Sequence, residues 1–135
     1  MESILQLIGK PWVAGSDGPD EFDCWGLLAW VYRQHLGIEL NRPPGLDVHQ
    51  IRSAAAEILK AQAERLWIDV KRPEPFDAVG MGHGHMITHV GVWLPIDAGT
   101  VLHCSRPQGG VVMQPPASLR QQHLQLTFWR WHKRF

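Results

Sequence analysis

Two cysteines and eight histidines are the side chains here best suited to nucleophilic, acid–base or metal chemistry, and three of them stand out by their surroundings. Cys24 lies in "DEFDCWGLLAWVYRQHLGIEL", directly after an acidic cluster and directly before an amphipathic run. His89 lies in "THVGVWL" and His103 in "TVLHCS". A thiol beside an imidazole whose second nitrogen is held by a polar group can attack a carbonyl and pass its proton to the ring. Plainer alternatives stand beside that reading. A cysteine on an apolar helix face is ordinarily a small core residue, and a lone strand histidine is ordinarily a half-buried ring bonded to backbone.

The nucleophile reading needs Cys24 at a helix start. From Cys24 the apolar positions Leu27, Leu28, Val31 and the partly apolar His35 follow at intervals of three and four, the spacing of one helix face. Gly37 then ends the helix. Asp20 and Asp23 stand before it as caps, and Asp23, immediately before Cys24, suits the N-cap best. A sulfur in that first turn sits near unpaired backbone N–H groups and the positive end of the helix dipole, which is expected to favour thiolate over thiol. The same face directs Cys24 toward the rest of the fold.

The two histidines need strands. "THVGVWL" and "TVLHCS" read as a hairpin joined by "PIDAG". In an antiparallel pair, opposed residue numbers add to a constant, so two odd-numbered residues share a face when that constant is even. Pairing Leu94 with Thr100 gives 194, which sets Gly91 opposite His103 and His89 opposite Ser105. His89 and His103 are then diagonal neighbours within side-chain reach, and the missing side chain at Gly91 leaves room beside them. An odd register would put them on opposite faces. By the same alternation Cys104 turns away from His103 and belongs to the core.

The rest of the chain sets the frame. At 135 residues and 44% hydrophobic it can bury one ordinary core, so residues 1–135 read as a single domain. The 13 basic and 13 acidic residues cancel, so the charge balance favours neither nucleic acid nor an anionic membrane surface. The N-terminal "MESILQLIGKPWVAG" has neither the basic lead nor the long apolar stretch of a signal peptide or membrane span. A cytoplasmic site of synthesis with reduced thiols is therefore expected. Most of the seven tryptophans should be core. A second helix is expected from about Val48 to Leu66, where Asp47 can cap a stripe of Ile51, Ala55, Ile58 and Leu59. After it the period changes: "LWIDV", "FDAVGM", "THVGVWL", "TVLHCS", "GVVMQ" and "LQLTFWRW" are short strand-like runs separated by turns. Helices followed by a strand meander indicate an α+β fold with a mainly antiparallel sheet of five to six strands. "GMGHGHMITH" brings His83, His85 and His89 close in sequence, but His-Gly-His in a glycine-rich loop lacks the acidic or helical context of familiar zinc motifs. No metal or cofactor is required by the thiol chemistry.

In this order, Cys, strand His, strand His, the chain resembles the NlpC family of papain-like cysteine peptidases, which cleave peptides of bacterial cell-wall peptidoglycan. "GKPWVAGSDGPDEFDCWGLLAWVYRQHLGIEL" is similar to that family's Pro-aromatic, glycine turn, Asp-Cys-x-Gly-Leu and helix ending in Gly-Ile. "THVGVWL" resembles its His-Val-Gly strand and "VLHCS" its third-residue strand, while "PFDAV" stands where Gly-Asp-Leu-Val is usual. The resemblance implies a papain-like fold with Cys24 as nucleophile, His89 as general base and His103 as its orienting residue, acting through an acyl-enzyme. It implies substrate contacts at Trp12, Asp23 and Trp25, and a peptidoglycan stem peptide as substrate. Trp25 replaces a small residue usual after the cysteine, and Leu40, Asn41, Arg42 replace Leu-Pro-Arg. Asp-Cys-Trp-Gly-Leu looks most like phage tail-associated members, which implies a phage or prophage tail component with other tail proteins as partners. The rival class is an assembly module of such a tail that uses the fold for protein contacts.

Overall fold

A computed structural model describes residues 2–40, 42, 67–84 and 86–131. The helix expected over residues 48–66 lies outside them. Among the described residues two helices precede the sheet: α1 (Glu2–Leu5) and α2 (Cys24–Val31), the latter continuing into a π-helical turn at Tyr32–Leu36. Six strands follow, β1 (Trp67–Val70), β2 (Ala78–His83), β3 (Met86–Leu94), β4 (Thr100–Ser105), β5 (Gly110–Gln114) and β6 (Gln125–Trp131), with α3 (Pro116–Gln121) before the last. All six apolar runs of the second half are strands. Every pairing is antiparallel, and the order across the sheet is β1-β6-β2-β3-β4-β5. The expected meander therefore holds only from β2 to β5, because β6 inserts between β1 and β2. Its neighbours are set by burial of Phe128 and Trp129 against both strands, a long-range pairing that turn signals do not encode.

The expected register of the central hairpin is the one present, with Leu94 opposite Thr100 and Val92 opposite Leu102. Alternation then sorts the core into two layers. Even-numbered Val90, Val92, Leu94, Leu102 and Cys104 pack with Leu27, Leu28 and Val31 of α2. Odd-numbered Val79, Met81 and Val101 pack with Leu119 of α3 and with Phe128.

The continuous helix expected to Leu36 is in fact an α segment that widens into the π turn before Gly37 closes it in the left-handed region, φ 66°. There Tyr32 donates its hydroxyl to the Phe76 carbonyl, and the His35 ring stacks on the Phe76 ring at 6.0 Å. Phe76 has φ 71°, a conformation that glycine adopts without penalty, at the position where the resemblance expected glycine. Next to it, buried Asp77 accepts from Glu74 N at 2.7 Å and from Arg130 Nε and Nη2 at 3.1 and 2.8 Å, tying the start of β2 to β6. Among the described residues no helix is long and apolar enough to cross a membrane.

Candidate active site

Asp23 builds the start of α2. Its Oδ1 accepts the Gly26 N–H at 2.7 Å, its Oδ2 accepts the Gly15 N–H at 2.8 Å, and its backbone N–H donates to Ser16 O at 3.0 Å. One carboxylate thus caps the helix and straps the preceding turn across it. Gly26 is where that strap touches the helix: a Cβ there would overlap the Ser16 carbonyl oxygen and come within 2.9 Å of Asp17 Cα. Arg42 completes the cap, with Nη1 2.9 Å from Asp23 Oδ2 and Nη2 2.8 Å from Asp17 Oδ1. Asp23 is wholly buried with both oxygens engaged, so its place is under the helix terminus and not at a substrate-facing surface.

Cys24, the first residue of α2, is 1% exposed. Its sulfur lies against the backbone amides of Val90 and Trp25, so it meets the sheet beside His89 in the chain. The expected thiolate is not what this setting favours. Burial pushes the Cys24 thiol up to about 12, the negative charge of Asp23 adds to the rise, and the two amides and Arg42 oppose it without overcoming it. The helix terminus is real, but the residue that caps it brings an anion of its own. Alkylation of Cys24 by iodoacetamide should accordingly show no reactive plateau across the neutral range and should climb only toward strongly alkaline pH, read by mass spectrometry of the labelled peptide. A plateau near neutrality would contradict this account.

The two strand histidines meet as the register argument required. His89 Nε2 lies 2.8 Å from His103 Nδ1, with the rings edge to face at 4.9 Å between centroids. A Cβ at Gly91 would sit 2.9 Å from His103 Cβ and 2.8 Å from Leu102 O, so the bare glycine is what lets the pair form. Burial pushes His89 down to about 3, reinforced by His103, and burial lowers His103 as well, against the hydrogen bond it makes to Gln114 Oε1. Both rings are therefore neutral in the resting protein at ordinary pH.

A residue the motifs did not single out closes the group. His103 Nε2 lies 2.8 Å from Gln114 Oε1. That oxygen also accepts from Gln108 Nε2 at 3.1 Å, and Gln114 Nε2 donates to Ser118 Oγ at 3.2 Å. The parity argument carried one hairpin further would have found it: Ser105 opposite Gly110 sets His103 opposite Val112, with Gln114 the diagonal neighbour on the same face.

The remaining expected residues are scattered around this centre. Trp12 is half-buried, bridges to Phe22, donates its backbone N–H to Gly109 O at 2.9 Å and lies under the Arg106 guanidinium at 5.3 Å. Trp25 is 5% exposed and belongs to the core layer beneath α2, its indole Nε1 without a hydrogen-bond partner. Its bulk is spent inside the fold. Cys104 is buried, bonded through sulfur to Phe22 O at 3.2 Å, and both cysteines are free thiols. His83 ends β2 exposed, and His85 lies outside the described residues.

Comparison with known proteins agrees with this architecture. The model of the family described as NlpC/P60 matches residues 9–130. A protein of Listeria grayi described as a probable endopeptidase p60 is 31% identical over 87 residues, which are 64% of this chain and 14% of that protein. The chain thus spans about a seventh of the length of that curated relative. Among solved structures, NlpC1 of Trichomonas vaginalis superposes with a TM-score of 0.66 at 22% identity, over 98% of this chain and 43% of its own. The NlpC/p60 domain of the peptidoglycan hydrolase SagA gives 0.60 at 22% identity, over 94% and 92%. These two likenesses concern the fold.

Proposed function

Because the chain belongs to the NlpC/P60 family, we propose that it is a cysteine peptidase that hydrolyses peptide bonds of bacterial peptidoglycan stem peptides through an acyl-enzyme on Cys24. The observation that carries the reading is the bonded pair of histidines, His89 Nε2 to His103 Nδ1 at 2.8 Å, with His89 on β3 next to Val90, whose backbone amide lies against the Cys24 sulfur.

The chemistry follows from which groups remain unengaged. His89 spends Nε2 on His103, which leaves Nδ1 as the nitrogen that would accept the Cys24 proton. Among the described residues no hydrogen bond joins the sulfur to the ring in the resting protein, so the two must close on each other when substrate binds. With the thiol held high and the imidazole held low, both reactants start neutral. The proton then moves as the sulfur attacks the carbonyl carbon, in the manner of a general base and not of a preformed ion pair. The charge that develops on the carbonyl oxygen needs a donor. In the first turn the Gly26 N–H is taken by Asp23 Oδ1 and the Leu27 N–H by the Asp23 carbonyl, so the Cys24 N–H is the natural one. His89, charged for that interval and held by His103, returns the proton to the leaving amine, and water releases the acid.

The substrate class draws on the relatives described as a probable endopeptidase and as a peptidoglycan hydrolase. A setting in a phage tail, with other tail proteins as partners, draws on the Asp23-Cys24-Trp25-Gly26-Leu27 stretch alone. An assembly module of such a tail would need none of the histidine bonds. The deciding comparison is between wild type and Cys24→Ala on purified peptidoglycan fragments, with released peptides identified by mass spectrometry. Equal release by the two proteins would overturn the proposal.

A further inference from the structure

We propose that Gln114, its carboxamide held by Gln108 and Ser118, is a positioning residue that sets which ring nitrogens of His103 and His89 carry protons. This deepens the peptidase reading and rests on it for its catalytic consequence, though the proton arrangement itself stands apart from any activity.

The argument begins with what each atom can do. A neutral imidazole has one N–H donor and one bare acceptor nitrogen, and the partner of either nitrogen decides which is which. Gln114 Oε1 can only accept, so His103 Nε2, 2.8 Å away, carries the proton. His103 Nδ1 is then bare and must accept from His89 Nε2. That leaves His89 Nδ1 bare, the one state in which this ring can take a proton from a thiol. Three groups are locked in one direction: Gln114 Oε1 accepts from His103, whose Nδ1 accepts from His89. Were the carboxamide turned over, its NH₂ would force His103 Nε2 to accept, His103 Nδ1 to donate and His89 Nδ1 to carry the proton. The base would then present N–H to the sulfur.

One contact opposes that turn. Gln108 Nε2 donates to the same Oε1 at 3.1 Å, and Ser118 Oγ accepts from Gln114 Nε2 at 3.2 Å. Flipping the amide would set its NH₂ against the Gln108 NH₂, whereas the Ser118 hydroxyl can rotate to donate to the oxygen, so Gln108 is the partner that resists the turn. The three residues follow one another in the chain, in the turn after β4, at the end of β5 and in α3, so the orientation is held by the local fold of that stretch.

A neutral acceptor also matters. The titratable group facing His103 is His89 of β3, and from β5 the facing side chain is the uncharged Gln114. A carboxylate in its place would draw a proton onto His103, which is 4% exposed. A charged His103 donates from both nitrogens and reverses the His89 tautomer.

Ring nitrogens are read directly by 15N–1H NMR of the histidine side chains, alongside kcat and KM over a range of pH. Wild type should show His103 as the Nε2–H tautomer and His89 as the same. Gln114→Leu should mix the tautomers and lower kcat by about tenfold or more with KM nearly unchanged, since an imidazole in the wrong tautomer is a lost base. Gln114→Glu should keep the tautomer and most of kcat at alkaline pH but move the acidic limb of the profile upward, as His103 now protonates more readily. Finding His103 as Nδ1–H in wild type, or a single unchanged tautomer and unchanged pH profile in Gln114→Leu, would overturn the proposal. If Cys24→Ala were as active as wild type the peptidase reading would fail, and the NMR spectra would still decide this one. Thermal melts of both variants separate misfolding from loss of the proton arrangement.

Discussion

Cys24→Ala and His89→Gln are each expected to lower peptide release by at least about 10³-fold, and the double variant to lose little more, because groups that act as one unit fail together. Additive losses in the double variant would mean that the two residues do not share a step. Neither change should unfold the protein. Cys24 contributes one sulfur to the core under α2, and its removal should cost about 1 kcal/mol. His89→Gln carries a second signature in stability. The folded protein holds His89 at about 3 against an ordinary 6.5, so between those values it binds fewer protons than the unfolded chain. Stability that is present above the upper value is lost as pH falls toward the lower one, by up to about 1.4 kcal/mol per pH unit. The melting temperature of wild type should therefore fall over that acid range, and His89→Gln should flatten the fall. An unchanged slope would mean that the fold does not hold this ring neutral.

Gly26→Ala is expected to be the most damaging alanine substitution among the described glycines. The added Cβ meets backbone, the Ser16 carbonyl and Asp17 Cα, and neither can rotate aside. Relief requires the strap formed by Gly15 to Asp17 to lift from α2, which breaks the Gly15 and Ser16 bonds to Asp23 and disturbs the Arg42 pair that the same carboxylate anchors. A cost of at least about 3 kcal/mol follows from overpacking against a rigid wall. For a chain of this size that is a fall of roughly 10 °C in melting temperature. The same lifting would move Cys24, so activity should fall at temperatures where the variant is still folded. A melt within about two degrees of wild type, a shift worth well under 1 kcal/mol, would show that the strap yields cheaply.

Much of this was legible in the residues because it follows from local geometry. The intervals from Cys24 to Val31 set a helix, Asp23 set its cap, and the parity of His89 and His103 about the Leu94–Thr100 pairing brought two rings together from strands whose lengths were only guessed. The state of the thiol was not legible. A sequence displays the helix terminus that lowers a thiol's pKa but not the depth of burial that raises it, and here burial is the larger influence. Trp25 shows the same limit: a bulky residue after a nucleophile carries no sign in sequence of how much of it is buried, and here it is 5% exposed within the core cluster. The place of β6 depended on pairings with strands about 50 and 60 residues earlier, for which neither turn chemistry nor periodicity gives a signal.

That insertion of β6 bears on how the chain comes into being. On the ribosome, residues up to Ser118 include every side chain named in the histidine relay and its supports, and the β2 to β5 hairpins can form from neighbours already made. β1 cannot join them, since its partner in the sheet is synthesised last. Until residues 125–131 emerge, the outer flank of β2 stays open and β1 has nothing to pair with. Closing that gap is a contact of high sequence separation, the kind that slows folding. The β2 to β5 hairpins that carry the histidine pair can thus form ahead of the pairing that completes the sheet, and until then the outer edge of β2 lacks its partner.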